Sequence, residues 1–278
     1  MTNNIILIDT SYTAFYRFFA TLRWFSFAFP EEFKTYDSTY DWATNKIFME
    51  KYEKMFLKSI IDLIKKKEFD NYKIIFCMDS PKESLWRTII DTTYKGNRMD
   101  MSLKNNFKPT FAYTFNTMIP NFIKNNDNIY GMRIDCIEAD DIIAILSMHL
   151  QKEDNTIYIV SGDADFLQLG CDKIKFVNYK HKKPFSLTEC EAIVALKTKI
   201  IMGDKSDGIN SIFPKGSRVK KQELIDSEEL LQAYLDKNPG AKTQYEFNCK
   251  MIDFKNIPKK YITKTITLFN KLQDISLY

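Results

Sequence analysis

Acidic residues recur in this sequence where short apolar runs end. Asp9 follows Ile5-Ile6-Leu7-Ile8, Asp79 follows the run Tyr72 to Met78, and Asp163 stands one glycine beyond the run Thr156 to Ser161. Taken singly, such an aspartate reads as a helix cap or a turn residue. In an open α/β sheet, however, ligands gather at the carboxyl ends of the strands, and three acids at one sheet edge favour a site. The run IEADDIIAIL adds Glu138, Asp140 and Asp141, IVSGDADFLQL adds Asp165 after Asp163, and IIMGDKSDGI adds Asp204 and Asp207. Acids at a helix N-terminus offset its dipole by about 0.3–1 kcal/mol each. Three carboxylates within four residues exceed what capping needs.

If these segments converge, nine carboxylates share one pocket. Two such charges about 5 Å apart repel by roughly 3 kcal/mol at an effective dielectric near 20, so the cluster needs cations. An all-oxygen donor set without His or Cys selects hard ions, Mg²⁺ or Mn²⁺ rather than zinc. One group around Asp9 and Asp79 and another around Asp165 and Asp207 suggest two ions, the arrangement that hydrolyses phosphodiesters. Cationic and aromatic residues lie close by in sequence. Trp86, Arg87, Tyr94, Lys95 and Arg98 fill a polar stretch, and Lys215, Arg218, Lys220 and Lys221 follow the last acidic pair. The basic groups can neutralise phosphates, and Tyr94 is expected to offer a stacking face. Each basic residue alone reads more readily as a solvated surface charge, and their placement beside the acids favours the joint reading. Lys95, in a polar loop, is expected to serve the chemical step rather than folding.

The elements that must position these groups read as five short strands alternating with helices, followed by a helical C-terminal third. The strands are centred on residues 5–8, 72–78, 131–134, 156–161 and 175–178. The helical patterns begin at Thr10 or Ser11, run from about Thr44 to Lys67, from about Thr110 to Asn125, and from Glu138 to Leu150, with a loop expected around Phe25 to Tyr40. The order predicts an α/β fold: a mainly parallel central sheet flanked by helices, with an all-helical subdomain appended. The expected division is a core over 1–187, with an insertion at about 80–109, and a helical nucleic-acid-binding subdomain over 188–278. A structureless stretch as long as 80–109 is more often functional than incidental.

The sequence of 278 residues carries 45% hydrophobic and 27% charged residues, which fits a globular protein. No apolar run approaches the roughly 20 residues needed to cross a bilayer, and the polar start reads as no secretory signal. A cytoplasmic location is expected, in a host cell if the source is viral, with no membrane partner. The five cysteines are dispersed and the two histidines, His149 and His181, are far apart, so neither zinc ligation nor a disulfide framework is indicated. A net charge of +4 does not announce a nucleic-acid binder, so the distribution of charge must do so.

LIDTSYTAFYRFFA, SLWRTIIDTTYKGNR, IEADDIIAIL, IVSGDADFLQL and IIMGDKSDGI occur in the order and approximate spacing of the 5′ nuclease superfamily. That superfamily includes flap endonucleases and the 5′ nuclease domain of bacterial DNA polymerase I. Trp86-Arg87, the YK-x-NR pattern and the run MIDFKNIP most resemble its T-even phage ribonuclease H branch. The resemblance implies the PIN/5′ nuclease-like fold and a Mg²⁺-dependent 5′–3′ exonuclease and flap endonuclease that removes RNA primers from lagging-strand fragments. It implies Asp9, Asp79, Asp140 and Asp163 around one ion, completed by Glu138 and Asp141, and Asp165, Asp204 and Asp207 around a second. Arg87 and Lys95 would approach the scissile phosphate, and 80–109 would form an arch over the 5′ end. Branched, nicked or RNA-primed duplexes are the expected substrates of a monomer, with a single-strand-binding protein and a sliding clamp as candidate partners. The segment GINSIFPKGSRVKK departs from the family's Gly-x-Gly hairpin, so no potassium site is carried over. Two other classes compete. A haloacid-dehalogenase-type phosphatase needs an acid two residues after the first Asp, where this chain has Ser11. An inactive junction-binding factor would have lost an acidic motif, and none is lost.

Overall fold

β1 (Asn3–Asp9) turns alternate side chains into two different cores, as the two-residue period of a strand requires. Ile5 and Leu7 join one apolar cluster, and Ile6 and Ile8 join another. A strand buried on both faces belongs in the middle of a sheet. In the computed structural model, which describes residues 3–64, 71–96, 105–180, 183–217 and 219–275, β1 pairs in parallel with β2 (Tyr72–Met78) on one side and β4 (Asn155–Val160) on the other. β3 (Ile129–Arg133) lies outside β2, and β5 (Ile174–Val177) lies outside β4. The five-stranded order β3-β2-β1-β4-β5 is parallel throughout. The chain builds outward from β1 through β2 to β3, then crosses back to β4. The switch point therefore falls between β1 and β4, where a crevice opens beyond the strand ends.

On one face pack α1 (Thr10–Ala28), α3 (Lys46–Ile64) and the helical run α5 (Lys108–Tyr113) to α6 (Ile119–Lys124), with Phe18, Phe48, Tyr52 and Phe56 fully buried. Between α5 and α6 a π-turn spans Thr114–Met118, two residues before Pro120, whose missing N–H disfavours an unbroken α-ladder. On the other face packs α7 (Ala139–Leu150), joined by short α4 (Trp86–Ile90) through Trp86. The loop expected around 25–40 is corrected in part. α1 continues to Ala28 and α2 spans Pro30–Phe33, because Phe25 is fully buried against Phe29 and Trp42 and holds the helix end in the core.

The C-terminal region is helical as expected: α8 (Glu189–Met202), α9 (Lys221–Asp226), α10 (Glu228–Lys237), α11 (Pro239–Ile252) and α12 (Lys259–Ile275). Leu224, Leu231 and Leu235 form a small core of their own with Ile201 and Phe213. Phe254, Ile257, Tyr261 and Phe269 instead join the sheet's cluster on the α7 side. The last helix thus returns to the α/β core rather than remaining within a separate helical body. Asn248 on α11 is fully buried and donates to the carbonyls of Ile200 (2.7 Å) and Asn210 (2.8 Å). That fixes α11 beside the segment carrying Asp204 and Asp207.

α8 ends at Gly203, whose φ is +69°, and a Cβ there would lie 2.4 Å from the Asn210 backbone. Both strain and overlap therefore favour glycine immediately before Asp204. Gly203→Ala is expected to lower unfolding free energy by about 1–3 kcal/mol, read as a reduced denaturation midpoint; an unchanged midpoint would refute this account of the turn.

Candidate active site

Each strand-end acid is first a cap, and the caps bring the acids together. Asp9 accepts from the Tyr12 amide (2.9 Å) at the start of α1, and from Ser161 Oγ (2.9 Å) beyond β4. Asp79 accepts from the Ala139 amide (2.9 Å), the first residue of α7, and from Ser11 Oγ (2.6 Å). Asp163 accepts from the Asp165 amide (2.9 Å) and caps the 3₁₀ turn Ala164–Leu169. Helix N-termini favour negative charge, and these bonds hold the carboxylates at the switch point. Gly162 permits the approach, since a Cβ there would meet the Tyr12 ring at 2.6 Å.

Asp9, Asp79, Asp140 and Asp163 line one open groove of about 490 Å³, together with Lys95 and the aromatic wall Tyr12, Phe15, Phe107 and Phe111. Behind it a narrow cleft is lined by Glu138, Asp140, Asp165, Asp204 and Asp207, with Arg87, Tyr94 and Lys199. Asp140 faces both. Asp165, Asp204 and Asp207 each offer a carboxylate oxygen within 4.8 Å of the others. The sequence-predicted acids from five separate segments thus converge, in two adjoining groups. All the donors are carboxylate oxygens, which fits hard divalent ions.

Burial raises Asp9 from its ordinary 3.8 to about 7, with the charges of Asp79 and Asp163 adding to the effect. Asp140 is likewise pushed well up, by burial first and then by Asp9. Glu138 moves the other way. Burial opposes its charge, but Lys95 and Arg87 outweigh it and hold the carboxyl below its usual range. Asp204 is held at about 2, because hydrogen bonds from Lys199 and Ser206 overcome its burial.

Three of the expected site residues have different surroundings from those the sequence suggested. Tyr94 is buried, and its hydroxyl donates to Glu138 (3.0 Å) and Asp207 (3.1 Å). It bridges the acids and offers no open stacking face. Asp141 is fully buried and lines neither cavity; it accepts from Trp86 Nε1 (2.9 Å) and pairs with Arg87 (2.8 Å), and it completes a capping box with Glu138. Arg87 is buried too, donating to Glu138 (3.1 Å), to Asp141 and to the Met251 carbonyl (2.8 Å). Its guanidinium stands behind the acids, since the α7 N-terminus and α11 enclose it.

Lys95 takes a left-handed backbone conformation (φ 55°), donates its amide to the Asp207 carbonyl (2.9 Å) and pairs its ammonium with Glu138. It therefore has a structural bond as well as a place in the groove, which corrects the expectation that folding does not involve it. Arg98, with the rest of the insertion's middle at 97–104, and Arg218 lie outside the described residues. Lys215 and Lys220 are exposed, Lys221 lies over the Phe213 ring, and none of the three lines either cavity.

The model of the 5′–3′ exonuclease N-terminal resolvase-like domain matches residues 4–195, the stretch that carries β1 to β5 and most of the acids. The chain belongs to the 5′–3′ exonuclease family. Within that nuclease family, ribonuclease H of Enterobacteria phage T4 is 28% identical over 244 residues, 81% of this chain and 79% of that protein. A 5′–3′ exonuclease of Buchnera aphidicola is 34% identical over 164 residues, but the match spans only 55% of this chain and 52% of that protein. The fold also matches the phage T5 D15 flap endonuclease solved as a complex with DNA and metal ions, with TM-score 0.60, 16% identity, and 99% and 98% of the two chains covered.

Sequence reasoning about this family member missed Lys199, Ser11 and Ser161. Lys199 lies five residues before Asp204 on the last turn of α8, and it pairs with Asp165 and with Asp204 (2.8 Å). A lysine in KTKIIMGD reads as a helix C-terminal cation, and only the fold brings Asp165 to it. Among the described residues, no helix is long and apolar enough to cross a membrane.

Between about pH 4 and 7, Asp9 keeps in the folded state a proton that the unfolded chain has already released. Protons bound by the native state favour folding, so stability conferred at low pH is lost as pH rises through that window. In EDTA, chemical denaturation is expected to show about 3 kcal/mol less stability at pH 8 than at pH 5 from this group. Asp9→Asn is expected to flatten the profile; a level wild-type curve would contradict the assignment.

Proposed function

We propose that this chain is a divalent-metal-dependent 5′–3′ exonuclease and flap endonuclease, acting on branched, nicked and RNA-primed duplexes and able to remove RNA primers. The observation that carries this reading is the convergence of acids from five segments at the switch point of a parallel sheet, in a chain of the 5′–3′ exonuclease family. The similarity to phage T4 ribonuclease H, over 81% of this chain, supports the RNA-directed part of the reading, and the T5 flap endonuclease solved with DNA supports the branched substrate.

In this reading Asp9, Asp79, Asp140 and Asp163 hold one Mg²⁺, and Asp165, Asp204 and Asp207 hold a second, with Glu138 between them; Mn²⁺ substitutes. When bound, the ions supply Lewis acidity, favouring hydroxide at neutral pH and offsetting charge on the phosphoryl oxygens. The chain's residues do the rest. Ser11, Ser161 and the α1 and α7 amides fix the carboxylates that face the groove. Lys95 brings a positive charge to the groove wall, where it meets the scissile phosphate after exchanging Glu138 for it. Arg87 holds Glu138 from behind and acts as a positioning residue. Lys215, Lys220 and Lys221, which line neither cavity, contribute phosphate contacts away from the chemistry, and Arg98 and Arg218 are further candidate phosphate contacts.

The alternative is a junction-binding protein without hydrolysis. Ser11 in hydrogen bond with Asp79 leaves the phosphatase reading without its second acid.

Digestion of 5′-labelled flap, nicked and RNA-primed duplexes in Mg²⁺ is expected to release short 5′ products, and excess EDTA to stop it. Asp79→Asn and Asp163→Asn are expected to remove cleavage while retaining duplex binding by gel shift; cutting that persists in EDTA would sink the proposal. Lys95→Ala is expected to lower the single-turnover rate by about 10²-fold. It should also lower the melting temperature modestly, because Glu138 loses a partner; an unaltered single-turnover rate would remove Lys95 from the chemistry.

A further inference from the structure

Lys199 lines the rear cleft, and its position is specific. Its ammonium pairs with Asp165 and, at 2.8 Å, with Asp204, two of the three acids whose oxygens lie within 4.8 Å of one another. Only 19% of the side chain is exposed, so these are not surface contacts. The cleft around Arg87, Tyr94, Glu138, Asp140 and the three acids leaves about 10 Å³ of free space. That is about the volume one water needs. A hydrated divalent ion and the Lys199 ammonium cannot share it. Their like charges, a few ångströms apart in a partly buried cleft, would also repel. Lysine is suited to leaving, because its charge sits on a flexible four-carbon stem. Lys199 is on the last turn of α8, where the helix ends at Gly203.

We infer that the Lys199 ammonium is a resident cation of the Asp165–Asp204–Asp207 cluster, which it occupies in the free protein and leaves when a divalent ion enters. The inference rests on the reading of that cluster as the second metal site. It makes the two sites unequal: the front group takes its ion directly, while the rear group must exchange one cation for another. It also gives the three acids a counter-charge during folding, before any metal is bound.

Two measurements on the full chain test it. Wild-type protein is reductively methylated in EDTA and at rising Mn²⁺, and Lys199 is read by mass spectrometry against exposed Lys34. Lys199 is expected to be protected in EDTA and about tenfold more reactive once the second Mn²⁺ has bound. Mn²⁺ titration by calorimetry, on wild type, Lys199→Met and Lys199→Arg, is the second measurement. The second ion is expected to bind at least about tenfold more tightly to Lys199→Met than to wild type, and Lys199→Arg to stay near wild type. Two bound Mn²⁺ with Lys199 still protected, or a second ion no tighter in Lys199→Met, would overturn the inference while leaving the metal reading intact. No Mn²⁺ uptake by any of the proteins would overturn both. If Lys199→Met does not fold, the methylation result decides alone.

Discussion

Carboxylates brought together at one edge of a parallel sheet repel one another, and most of the surrounding structure answers that repulsion. The starts of α1 and α7 present backbone N–H groups to Asp9 and Asp79, and Ser161 and Ser11 add hydroxyl donors. Lys95 and Arg87 meet Glu138, and Lys199 meets Asp165 and Asp204. Where those cations are close, as at Asp204 and Glu138, the acids stay ionised. Where burial and neighbouring acids dominate, as at Asp9 and Asp140, the carboxyl is driven toward its protonated form. An added divalent cation would invert that balance, so the cluster is poised to bind one.

The second organising feature is the buried network behind the acids. Arg87 joins Glu138 and Asp141 at the start of α7 to the Met251 carbonyl at the end of α11, and Trp86 donates to Asp141. Tyr94 spans from Glu138 to Asp207. These bonds tie the 80–96 stretch, the sheet core and the helical C-terminal region to one another through the same side chains that shape the cleft. Buried ion pairs of this kind add little net stability, since desolvation offsets their attraction, but breaking one partner leaves an uncompensated charge. Their contribution is geometric: they set where Glu138 and Asp207 stand.

Much of this was legible in the one-dimensional pattern. Short apolar runs located all five strands within a residue or two, and three of them end in an acid, because a parallel strand buried on both faces needs a short continuous apolar run. The alternation of strands with helices implied the parallel sheet, and the acidic motifs named every carboxylate that lines the two cavities. Cap and candidate ligand are not competing readings for Asp9 and Asp79. A capping carboxylate has oxygen lone pairs to spare, so one residue can serve both.

What only the tertiary structure decided was the surroundings of individual side chains. Tyr94 and Arg87 look like exposed ligand-binding groups in a polar stretch, yet both are buried, because α7 and α11 close over them from 44 residues or more away in sequence. Asp141, indistinguishable from Asp140 by type, turns inward to Trp86 and Arg87 because successive helical residues lie about 100° apart. Lys199 gave no local sign of its partners, since Asp165 reaches it through the fold rather than along the chain. Residue type and spacing determine which groups can carry charge; which charges face each other is set by long-range packing.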